Sequence, residues 1–115
     1  MKLLYHTDGD VNDVLDLYVE AGIDALHPLE VKAGMDLSRV VTSHGEHMAF
    51  FGNIDCRILA SNDLVAIESE MKTKLEAGKE GRGYFYHCDH SIPPQVTPAT
   101  YTLLIELLDR HGRYA

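Results

Sequence analysis

Thiols are scarce in this chain of 115 residues: Cys56 and Cys88 are the two cysteines, and no CxxC spacing joins them. That excludes a disulfide framework and makes a reducing cytoplasm the expected setting. Long apolar runs are missing as well. None approaches the ~18 residues of a membrane helix, and no signal-peptide pattern follows Met1. Basic charge is thin, with ten Lys and Arg against 18 Asp and Glu for a net −8, and the basic residues are scattered. Phosphate neutralisation needs clustered Lys and Arg, so nucleic acid and anionic membranes are excluded as partners. There is no Asn-Gly hairpin turn, no low-complexity segment and no linker. What remains is one piece of one domain.

The pattern that is present repeats four times. Residues 2–5 form a short apolar run ending at His6, and Thr7 to Asp10 reads as a turn whose Asp10 caps a helix. Val11, Val14, Leu15 and Tyr18 give that helix its stripe, and Gly22 closes it. A strand over 23–29, broken at Pro28, ends at Glu30. It leads to a helix capped by Asp36 and stopped by Gly45. A strand over 48–54 ends at Asp55. After it, Asn62 or Asp63 caps the longest helix, with Leu64, Ile67, Met71 and Leu75 inward. The fourth strand, 83–86, runs into His87, Cys88, Asp89 and His90. Thr97-Pro98 then opens the last helix as N-cap and first helical residue.

Four consecutive β-then-α units imply parallel strands joined by right-handed crossovers. The chain is well short of the ~250 residues of a full (β/α)₈ barrel, so the expectation is half of a TIM barrel. Its open edges call for a missing half-barrel or for self-association. An independent four-stranded sheet is the structural alternative.

Parallel α/β folds place their chemistry at the carboxyl ends of the strands. The residues there are His6 and Asp8, then Glu30, then Asp55, then Asp89 and His90, with Tyr86 just before and Lys32 and Arg57 as the nearby cations. Four carboxylates on one rim do not ionise cheaply together without a cation, which points to a bound divalent metal. His27, His44, His47 and His111 read as surface or helix-end residues, and Cys56 and Cys88 as small buried hydrophobes. Met35, Met48 and Met71 read as core fillers.

The order HTDGD, then HPLE with AGMD, then FFGNID, then a GYF strand leading to DHSIPP, resembles the uroporphyrinogen decarboxylase (URO-D) family. That family joins the decarboxylases of tetrapyrrole synthesis to the corrinoid-linked methyltransferases that share their barrel. The resemblance spans essentially the whole chain and corresponds to the C-terminal half-barrel. It implies decarboxylation of a tetrapyrrole side chain without a cofactor, with His90 and Asp55 as catalytic residues. Asp89, Tyr86 and Arg57 are the residues expected to contact that small-molecule substrate. In the zinc-carrying methyltransferases the ligands are a His-x-Cys pair and a last-strand cysteine. Here those positions hold His6-x-Asp8 and His90. With Glu30 they make a nitrogen/oxygen set for a divalent metal, zinc foremost, that would serve a methyl-donor reaction. A non-catalytic half-barrel that only assembles with a partner is the third reading. In each case the isolated fragment is expected to be inactive.

Overall fold

The computed structural model describes residues 1–114. Its four strands, β1 (Leu4–His6), β2 (Ala25–His27), β3 (Ala49–Phe51) and β4 (Tyr84–Phe85), form one sheet in the order β1-β2-β3-β4. Each neighbouring pair is parallel. The helices are α1 (Leu15–Glu20), α2 (Leu37–His44), α3 (Cys56–Ala60), α4 (Leu64–Lys79) and α5 (Pro98–His111). Sequence-ordered parallel strands alternating with helices are the arrangement of half a TIM barrel.

The strands are shorter than their apolar runs because the backbone turns out of the ladder at defined residues. Pro28 has no N–H to donate, and Leu29 sits at φ 58°. Gly52 at φ 105° and Asn53 at φ 64° end β3, and Ile54 rejoins the sheet through a single bridge to Cys88. A Cβ on Gly52 would lie 1.9 Å from the Pro28 carbonyl oxygen, so only glycine allows this close approach.

Three of the helix starts lie where the sequence places them. Asp36 accepts from Arg39 N, Asp63 from Val65 N and Ala66 N, and Thr97 from Thr100 N. Asp10 differs from expectation. It accepts from Asn12 N at 3.0 Å as an Asx-turn, and the chain enters α1 through a 3-10 turn over Asn12–Val14. Helix α3 is additional: it is a short helix that Asp55 caps by accepting from Arg57 N.

Alternate strand residues face opposite sides of the sheet. Tyr5, Leu26, Phe50 and Tyr84 stand in register on the helix side. Leu26 and Phe50 are buried there with Leu15, Leu37, Val40, Met35 and Met48. A second cluster gathers Ile54, Leu59, Ile67, Met71, Leu75, Leu104 and Leu107 under α3, α4 and α5, and Tyr84 packs against both clusters. The other row carries Leu4, Ala25 and Ala49, then His6, His27, Phe51 and Phe85, and it stays open: Leu4 is 54% and Phe85 51% exposed.

Candidate active site

Strands β1 and β2 end in register on His6 and His27. The shared register sets their imidazoles side by side, with Nδ1 2.7 Å from Nδ1. His27 Nε2 then meets His87 Nδ1 at 3.2 Å, and His6 Nε2 lies 3.7 Å from Asp8 Oδ1. Burial, and then the neighbouring His87 and His6, hold the His27 pKa below its ordinary value. The sequence places His27 among surface histidines and His87 in the ionisable cluster after the fourth strand; the structure sets His27, half-buried, between His6 and His87. The available clue was position, since His27 is the last residue of its strand, as His6 is of β1.

Glu30 and His90 form the second pair, with Nε2 3.1 Å from Oε1. The Gly9 N–H donates to the other Glu30 oxygen at 2.9 Å. That backbone bond first, and the His90 contact second, lower the Glu30 pKa and keep it anionic.

Asp55 is buried and fully engaged. It accepts from Arg57 N at 2.9 Å, from Arg57 Nε at 3.0 Å and from Arg57 Nη2 at 2.8 Å. The Arg57 side chain is the largest cause of its lowered pKa. Arg57 keeps 59% of its side chain exposed at the rim. Asp89 is buried at the base of the rim. It is 1% exposed, and its two oxygens accept from Val31 N at 2.9 Å and Cys56 N at 3.0 Å. The Tyr86 hydroxyl is buried without a hydrogen-bond partner, and burial pushes its pKa up to about 12.

The expected ligand set lies as two contacts, His6 Nε2 3.7 Å from Asp8 Oδ1 and His90 Nε2 3.1 Å from Glu30 Oε1. Among the described residues, the group of three ligating side chains with donor atoms within 4.8 Å of one another is a different one, Cys56, Cys88 and Asp89. Each rim carboxylate has its own neighbour, an imidazole, a guanidinium or backbone N–H groups.

Two adjoining clefts open at this rim. One, of about 250 Å³, is lined by His6, Asp8, His27, His87, Asp89 and His90. The other, of about 220 Å³, is lined by Tyr86, Cys88, Ile92 and Tyr101, and shares His87, His90 and Ser91 with the first. A wall of imidazoles thus separates a polar cleft from a more aromatic one. Elsewhere, no helix among the described residues is long and apolar enough to cross a membrane.

A family model described as uroporphyrinogen decarboxylase (URO-D) matches residues 1–111. A curated protein described as uroporphyrinogen decarboxylase, from Chlorobium phaeovibrioides (strain DSM 265 / 1930), is 28% identical over 108 residues. The match covers 86% of this chain and 28% of that protein, so the chain spans well under half of the relative's length.

Proposed function

The chain belongs to the uroporphyrinogen decarboxylase family, and on that premise we propose that it forms part of the catalytic domain of an enzyme that decarboxylates a side chain of a tetrapyrrole. The observation that carries this reading is the His90–Glu30 pair at the junction of the two clefts. Loss of CO2 breaks one carbon–carbon bond and leaves the electron pair on the side-chain carbon, which must take up one proton. His90 is the proton donor in this reading. Glu30, kept anionic by Gly9, orients the ring and stabilises its cationic form. The Tyr86 hydroxyl supplies an unspent hydrogen bond within the same cleft. Asp55 acts as a positioning residue, aiming the Arg57 guanidinium at the rim, where it meets a substrate carboxylate. The remaining barrel half is the partner that closes the clefts.

The test is CO2 release from carboxyl-labelled uroporphyrinogen by this chain assembled with the other half-barrel. His90→Ala should lower kcat by on the order of 10²–10⁴. Glu30→Gln should cost less than His90→Ala, because the imidazole stays in place and loses only the carboxylate that orients it. Turnover at an undiminished rate in His90→Ala would defeat the proposal.

A further inference from the structure

Apart from the His90–Glu30 pair, two thiols and a carboxylate converge. Cys56 Sγ, Cys88 Sγ and one Asp89 oxygen all lie within 4.8 Å of one another. Each is fixed by a separate constraint. Cys56 opens α3 directly after its Asp55 cap. Cys88, 4% exposed, is held by its bridge to Ile54. Asp89 is clamped by the N–H groups of Val31 and Cys56, and each of its oxygens keeps a lone pair to spare.

We propose that Cys56, Cys88 and Asp89 bind a thiophilic divalent metal ion of the zinc class. Bonds of ~2.3 Å to sulfur and ~2.0 Å to oxygen place neighbouring donors of a tetrahedral zinc about 3.5–3.8 Å apart. The three donors lie within about 1 Å of that span. Two thiolates select zinc over magnesium or calcium, and the carboxylate supplies a third anionic ligand. Cys88 also lines, with Tyr86 and His90, a cleft of about 220 Å³, room for a water as fourth ligand. This site is independent of the decarboxylase reading, because its donors and its readout are separate from turnover.

The experiment titrates the phosphine-reduced full chain with cobalt(II), then displaces it with zinc. A sulfur-to-cobalt charge-transfer band saturating at one equivalent is expected. Cys56→Ala and Cys88→Ala should weaken binding at least 100-fold, whereas His90→Ala should retain the band within about twofold. Zinc should also slow alkylation of both thiols in the unsubstituted chain, a readout that needs no variant to fold. The proposal is overturned by absence of the band, by a band that survives both cysteine substitutions, or by thiols alkylated equally fast with and without zinc.

Discussion

Asn53 sits at φ 64°, fully buried, with every hydrogen-bonding site of its amide used. Its Nδ2 donates to Leu29 O at 2.8 Å and Met35 O at 2.9 Å. Its Oδ1 accepts from Leu37 N at 3.0 Å and Lys74 Nζ at 2.7 Å. One side chain thus ties the loops after β2 and β3 to the start of α2. Asn53→Ala should cost about 3–4 kcal/mol in urea unfolding, since it orphans several buried groups. Asn53→Gly should recover about 1 kcal/mol of that by tolerating the positive φ. Acid should act at the rim in two stages. The His27 pKa is lowered, so stability rises with pH between its folded value and the unfolded ~6.5 and is lost as pH falls through that window. Glu30 and Asp55 are lowered too. Their contribution is complete above the unfolded carboxylate range near pH ~4 and drains as pH drops through their folded values. Urea midpoints measured from pH 8 to pH 3 should show both slopes. His27→Gln should remove the upper one and Asp55→Asn should reduce the lower one.

Elements here are positioned by close approach as much as by propensity. Gly78 lies inside α4, where alanine would ordinarily gain about 1 kcal/mol. A Cβ at that position would stand 2.3 Å from the Tyr84 ring. That ring belongs to β4, packs against both core clusters and donates its hydroxyl to Gly52 O at 2.6 Å. Gly78→Ala should therefore lower Tm, reversing the sign that helix propensity alone gives. A raised Tm would show that α4 and β4 slide apart more easily than this packing implies. The element α3 rests on its cap in the same way: five residues make a helix only because Asp55 closes its first turn.

At the scale of the whole molecule, the sheet is finished on one side only. Helices bury Leu26 and Phe50, while Leu4 and Phe85 remain about half exposed on the other face, beside Ala25, Ala49 and Phe51. A contiguous apolar face and the free edges of β1 and β4 both favour association. The isolated chain should show a mass by light scattering that rises with concentration. Phe85→Lys should move it toward the monomer. A sharp monomer at all concentrations, with a cooperative two-state melt, would instead make the four units a self-contained domain.

The four-fold β-then-α alternation, the caps at Asp36, Thr97 and one of Asn62 or Asp63, and the placement of His6, Asp8, Glu30, Asp55 and His90 after the strands were determined by the sequence alone. These follow from local rules: apolar period, capping side chains and the loss of pairing at glycine and proline act within a few residues. Tertiary structure decided which of those groups meet. Glu30 reaches His90 sixty residues away, His6 joins His27 and through it His87, and Asp89 turns inward to hold two backbone N–H groups. Local patterning also missed that the two cysteines approach each other at Asp89. These encounters depend on strand register and on left-handed turns at Leu29, Gly52 and Asn53. Register is a relation between distant segments, fixed only when the shared core closes, so no local pattern carries it.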